Sequence, residues 1–172
     1  MTKTIYLAAG CFWGAQHYLK QINGVLTTTT GFANGIDASK PVTYEEVYTD
    51  RTGYAETVRV DYDPERLSLH KLLELYFLSI DPTAVNQQGE DSGTRYRTGI
   101  YYIDADDVHV IDEVYKQVQH GYSSPLAVEV EPLEVFYPAT EYHQDYLDKH
   151  PDGYCHLPEA LFVMARQANM PR

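Results

Sequence analysis

The sequence predicts an α+β fold, a two-layer sandwich in which helices cover one face of a mixed β-sheet. Three observations carry this. Stretches that alternate apolar and polar residues interchange with stretches whose apolar residues recur at helical spacing. Together they spell out the order β-α-β-β-α-β-α-β. No repeat, low-complexity run or Pro/Gly/Ser linker divides the 172 residues, so residues 1–172 read as a single domain with one core.

Each element has its own signal. Thr4 to Ala8 forms the first strand and runs straight into Ala9-Gly10-Cys11 and a helical stretch to about Ile22, closed by Asn23-Gly24. Val25 to Phe32 is threonine-rich and β-branched, hence a strand. Turn signals at Asn34-Gly35 and Lys40-Pro41 make 31–41 a loop. Thr57 to Tyr62 alternates, with Val58, Val60 and Tyr62 on one face, and ends at Asp63-Pro64. Ser68 stands as the N-cap of a helix carrying Leu69, Leu72, Leu73, Tyr76 and Phe77. Asp81 to Tyr96 is a long polar loop, a kind that in compact domains usually serves function. Thr98 to Ile103 is a strand, Val108, Ile111, Val114, Tyr115 and Val118 mark a helix, and Leu126, Val128 and Val130 mark a last strand. From about 137 to 172 the chain is rich in Tyr, His and Pro and reads as an irregular segment carrying the second cysteine.

Composition excludes several classes of function. The net charge is −12, from 25 acidic against 13 basic residues, and no Lys/Arg cluster offers a footprint for nucleic acid. No segment approaches the roughly 18 apolar residues of a membrane helix. The N-terminus holds one basic residue and a very short apolar run, so no signal peptide is expected and the cytoplasm is the expected location. In a reducing compartment the two cysteines, Cys11 and Cys155, point to transient chemistry if they pair at all. Two unrelated buried thiols are the plainer alternative.

Local chemistry singles out Gly10-Cys11-Phe12-Trp13-Gly14. A cysteine at a strand-to-helix junction meets unpaired N–H groups that favour a thiolate. Phe12 and the only tryptophan, Trp13, can wall an apolar pocket for a group as small as a methyl. Glu56 opens the alternating strand; buried, it would stay protonated and able to donate. Asp91 and Tyr96 in the polar loop, and Tyr44 after the glycine-containing loop, could present further polar groups, although single tyrosines are more often structural. The seven histidines make no paired metal spacing with the cysteines, so neither metal nor cofactor is expected. His143 could pair with Cys11 as in a cysteine hydrolase. A non-catalytic module that binds methionine through Trp13 is a third possibility. Cys155 lies in Gly153-Tyr154-Cys155-His156, where a thiol on a mobile segment could reach another thiol.

The pentapeptide, together with Thr43-Tyr44-Glu45-Glu46-Val47, Gly53-Tyr54-Ala55-Glu56, Asp91 to Arg97, Tyr142 to Leu147 and Gly153-Tyr154-Cys155, resembles the class A peptide methionine sulfoxide reductases over nearly the whole chain. The resemblance implies a ferredoxin-like core and a single catalytic domain. It implies that Cys11 attacks the sulfur of methionine-S-sulfoxide, free or in proteins, with Phe12 and Trp13 holding the methyl group. Glu56, Tyr44 and Tyr96 would then bind the oxygen, with Asp91 in support. Cys11 would become a sulfenic acid, Cys155 would resolve it to a disulfide, and thioredoxin would recycle that bond. The chain is expected to act as a monomer. Three departures stand out: Tyr54 occupies a place where histidine is usual beside the glutamate, Cys155 is the last cysteine, and the tail from Leu157 carries no motif of the family.

Overall fold

The computed structural model describes residues 1–170, so the last two residues of the 137–172 segment lie outside the described residues. In chain order its elements are β1 (Lys3–Ala9), α1 (Phe12–Leu19), β2 (Val25–Ala33), α2 (Tyr44–Tyr48), β3 (Ala55–Tyr62), α3 (Leu69–Leu78), the two-residue strands β4 (Gln87–Gln88) and β5 (Asp91–Ser92), β6 (Thr98–Tyr102), α4 (Val108–Gln119), β7 (Glu129–Pro132), β8 (Phe136–Pro138), α5 (Tyr146–Lys149) and α6 (Glu159–Ala168). The main sheet runs β7-β6-β1-β3-β2-β8, antiparallel except for the parallel β6–β7 pair. Its inner four strands, with α1 joining β1 to β2 and α3 joining β3 to β6, are a ferredoxin-like core.

Strand alternation decides which residues meet the helices. Ile5, Leu7 and Ala9 of β1, Val58 and Val60 of β3 and Ile100 of β6 face one large core with Leu72, Leu73 and Tyr76 of α3 and Tyr18 of α1. Tyr6 and Ala8 point the other way, into a smaller cluster with Ala33, Ala55 and Tyr101. No helix covers that second face among the described residues. It is roofed by Leu133, from the short connection between the two edge strands, and by Phe136, the first residue of β8, whose ring lies 5.0 Å from that of Tyr6. The sheet is therefore buried on both faces at its centre, where the sequence suggests cover on one.

Ser68 caps α3 as expected, its hydroxyl accepting from the Lys71 N–H at 3.1 Å. Other elements depart from the pattern for identifiable reasons. Leu126 and Val128 are buried, but Gln119 Oε1 takes the Leu126 N–H and the Pro82 carbonyl takes the Ala127 N–H. Pairing with β6 therefore begins only at Glu129. Alternation reported burial there, not ladder hydrogen bonds. The polar loop 81–96 folds back on itself through the β4–β5 pair. In the segment expected to be irregular, α6 buries Phe162 and Ala165, and Phe162 meets the His17 ring edge-on at 4.6 Å.

Helix α2 is too short for periodicity to reveal. Its start carries a different sequence signal, the Thr43-x-x-Glu46 capping box, which the structure forms. Thr43 Oγ1 accepts from the Glu46 N–H at 3.2 Å, and Glu46 Oε1 accepts from the Thr43 N–H at 3.1 Å. Thr43→Ala is expected to cost about 1 kcal/mol of stability, seen as a lower urea midpoint with an unchanged slope.

Candidate active site

The site forms where β1 hands over to α1. Gly10 has φ +81, the turn that lets the chain leave the strand, and a Cβ there would stand 2.8 Å from Gln88 Cβ. Cys11 follows as the N-cap of α1 and is only 7% exposed. The β1–β3 register sets Leu7 opposite Val58, and its continuation carries Glu56 level with the end of β1. Because side chains alternate, Glu56 emerges on the same helix-covered face as Val58 and Val60. It is fully buried, and its Oε1 accepts the Phe12 N–H at 3.1 Å.

This enclosure fixes protonation. Burial, opposed in part by the Phe12 N–H and the Arg95 charge, pushes Glu56 up to about 8. Glu56 therefore holds its proton at neutral pH. Cys11 behaves differently from the sequence expectation. Burial first, and then the neighbouring Glu56, raise its pKa well above the ordinary thiol value, against a weaker pull from the Trp13 and Gly14 N–H groups. The helix start does favour a thiolate, but desolvation outweighs it, and the resting group is a thiol.

Tyr44 and Tyr96 join this cluster. Burial raises both phenols, Tyr96 to about 12, and a charge on Glu56 or Cys11 would oppose the ionisation of either. Both stay protonated donors. Arg95 positions Tyr96, with its guanidinium 4.4 Å from that ring and 4.1 Å from the Tyr48 ring, while it pairs with Asp50. Asp91 lies at the edge, accepting from the Tyr154 hydroxyl at 3.0 Å. Its charge reaches both Glu56 and Cys11, raising each.

An aromatic wall closes another side. Phe12 is buried against Phe32, Tyr44 and His143. Trp13, half-buried, stacks on Tyr146 at 3.7 Å, and its Nε1–H donates to His143 Nδ1 at 3.2 Å. His143 also stacks on Tyr44 at 4.3 Å, and burial holds its pKa below the usual histidine value. A neutral imidazole that spends Nδ1 on an indole holds Trp13 in place. Among the described residues no hydrogen bond joins it to Cys11, as the cysteine hydrolase alternative requires. Tyr54 is likewise engaged elsewhere: its hydroxyl donates to the Asp37 carbonyl at 2.9 Å.

Cys155 is half-buried, and its Sγ accepts from the Leu157 N–H at 3.4 Å. It lies on Gly14, three residues beyond Cys11: a Cβ on Gly14 would stand 3.1 Å from this sulfur. Both cysteines are free thiols. The fold therefore gathers Cys11, Glu56, Tyr44, Tyr96, Phe12 and Trp13 at one junction, with Asp91 and Cys155 at its rim. Sequence inspection missed the supporting contacts of Arg95, Tyr146, Tyr154 and His156.

The chain matches the family model described as "Peptide methionine sulfoxide reductase" over residues 3–171. It belongs to that family. A relative from Lachnoclostridium phytofermentans, "Peptide methionine sulfoxide reductase MsrA", is 54% identical over 168 residues, covering 98% of this chain and all of the relative. Among solved structures, reduced Mxr1 from Saccharomyces cerevisiae is similar with a TM-score of 0.85 and 36% identity, covering 90% of this chain and 88% of that one. Mxr1 in complex with Trx2 is similar at a TM-score of 0.59 and 25% identity, covering 84% of each chain. The activity is thus thiol-dependent reduction of peptide methionine sulfoxide, and the resemblance read from the pentapeptide holds.

In this reductase the raised pKa of Glu56 makes stability pH-dependent. The folded state holds a proton that the unfolded chain releases above the model-peptide value of 4.5, so Glu56 lowers stability progressively as pH rises from there to about 8. Glu56→Gln is expected to gain stability relative to wild type across that window, by a few kcal/mol at its upper end. Urea unfolding at pH 5 and pH 8.5 checks this, and an unchanged difference between the two pH values counts against a buried, protonated Glu56.

Proposed function

We propose that Cys11 is the nucleophile that attacks the sulfur of methionine-S-sulfoxide, free or within peptides and proteins, and that Glu56 is the proton donor to its oxygen. The observation that carries this is the pairing of a buried Cys11 with a fully buried, protonated carboxyl at the start of one helix. As sulfur bonds to sulfur, electrons move onto the sulfoxide oxygen. Three protonated donors, Glu56, Tyr44 and Tyr96, are suited to stabilise that charge in a dry site. Glu56 gives up its proton to the oxygen and recovers one from the Cys11 thiol. A thiol at rest and a thiolate only at the moment of attack agree with the raised pKa of Cys11. Phe12 and Trp13 offer the apolar surface for the substrate methyl, and Asp91 supports the cluster from its rim.

Collapse of the adduct releases methionine and leaves Cys11 as a sulfenic acid. The Cys155 thiol then condenses with it, forming a disulfide and water. The position of Cys155 over Gly14 supports this pairing. With Cys11 and Cys155 as the pair, one resolving step forms the disulfide. The Mxr1–Trx2 complex supports thioredoxin as the reductant that opens the disulfide.

Stoichiometric methionine-S-sulfoxide without reductant is expected to cost the protein two hydrogens and both free thiols, by intact mass and thiol count. The R epimer leaves it unchanged. Loss of neither thiol with the S epimer sinks the proposal. Cys11→Ser is expected to make no methionine, whereas Cys155→Ser makes one per enzyme and then stalls. Tyr96→Phe, removing one oxygen donor, is expected to lower kcat by about 10²–10³-fold. Because the donor form of Glu56 is the protonated one, kcat/KM is expected to fall as pH rises through about 8.

A further inference from the structure

His156 sits beside the resolving cysteine and takes no part in the chemistry described above. Its ring packs against the β1–α1 turn. Nε2 is 3.2 Å from the Ala9 carbonyl oxygen, and because a carbonyl only accepts, Nε2 carries the hydrogen. A neutral imidazole with its proton on Nε2 leaves Nδ1 as a bare acceptor. Nδ1 is shielded from solvent and has no hydrogen-bond partner among the described residues. Leaving a buried acceptor unpaired costs stability, so a purely structural histidine is a poor choice here.

The position of Nδ1 is informative. A Cβ built on Gly14 would stand 3.0 Å from His156 Nδ1 and 3.1 Å from Cys155 Sγ. The base nitrogen and the thiol thus share the ledge left by the missing side chain of Gly14, in the first turn of the helix that Cys11 caps. Burial keeps the His156 pKa below the usual histidine value, while the Asp91 carboxylate opposes this, so the ring is neutral and able to accept at pH 7. Burial raises the Cys155 thiol, with Glu159 and Asp91 adding to the effect, so this sulfur does not ionise unaided at neutral pH.

We propose that His156 is a catalytic residue of the resolving step: tethered to Ala9 through Nε2, it accepts the Cys155 thiol proton at Nδ1 as that sulfur attacks Cys11. The inference rests on the sulfenic acid and disulfide steps proposed above. Cys155 Sγ bonds to Cys11 Sγ, the Cys11 S–O bond breaks, and the departing hydroxide takes the proton from His156 to leave as water. Cys155 is oxidised, Cys11 is reduced, and no outside oxidant or reductant enters. The ring ends neutral, as it began.

The test separates base from tether. His156→Gln keeps an N–H donor able to reach Ala9 but has no basic nitrogen, whereas His156→Ala loses both. Each reduced full-length variant is mixed with stoichiometric methionine-S-sulfoxide, without reductant. Methionine is followed by chromatography, and the Cys11–Cys155 disulfide by acid quench and mass. Both variants are expected to release one methionine within about twofold of the wild-type rate and to form the disulfide at least about 100-fold more slowly, the low edge of general-base contributions. Disulfide formation by His156→Gln at the wild-type rate overturns the proposal, whether or not His156→Ala is slow. Equal slowing of methionine release and disulfide formation overturns it too, since the ring then only supports the site. Failure of the wild-type protein to release methionine strikes the Cys11 mechanism itself, a result distinct from either.

Discussion

The hydrogen bond from the Phe12 N–H to Glu56 Oε1 connects the first turn of α1 to the first residues of β3, and both residues it joins are buried. A carboxyl in that position must either ionise against desolvation or keep its proton, and burial decides for the proton. Much of the surrounding architecture maintains that dry space. Strands β1 and β3 deliver the two partners in register, and Tyr76 of α3 ties the end of β1 by donating to the Ala8 carbonyl at 2.7 Å. Phe12 and Phe32 fill the floor, and the Arg95–Asp50 pair holds Tyr96 at the margin.

Two features that look costly in isolation become coherent in this light. Raising the Cys11 pKa sacrifices standing reactivity, and under the mechanism proposed above it leaves a thiol that is quiet until a substrate brings its own polar oxygen into the cluster. The paired histidine and tryptophan, at first sight a candidate for nucleophile activation, form a rigid stack with Tyr146 and Tyr44 instead. Rigidity matters because a methyl group gives an enzyme little to grip except shape.

The sequence made the central strands, α3 and the strand-to-helix junction at Cys11 legible because each is encoded locally. Alternation in Val58, Val60 and Tyr62, the Ser68 cap and the pentapeptide around Cys11 all lie within a few residues of what they specify. The remainder of the site depends on contacts between distant residues. Trp13 reaches His143, Gln16 accepts the Asp145 N–H, and His156 reaches Ala9, each across more than a hundred residues, and no window of sequence reports them. The second face of the sheet was hidden for a related reason. Leu133 and Phe136 cover it from a short connection and the start of the three-residue strand β8, both too short to carry a period. Tail helix α6 belongs to the same class, since its burial depends on α1 being present to receive Phe162.

That long reach also orders events during synthesis. Cys11 precedes His143, which secures Trp13, and the segment around Cys155 that lies over Gly14, by well over a hundred residues. A vectorially produced chain therefore displays the Cys11 thiol well before the residues that shelter it have emerged. Until they do, Cys11 lacks the burial that raises its pKa in the finished fold, so its thiol ionises more readily in the unfinished molecule than in the completed one.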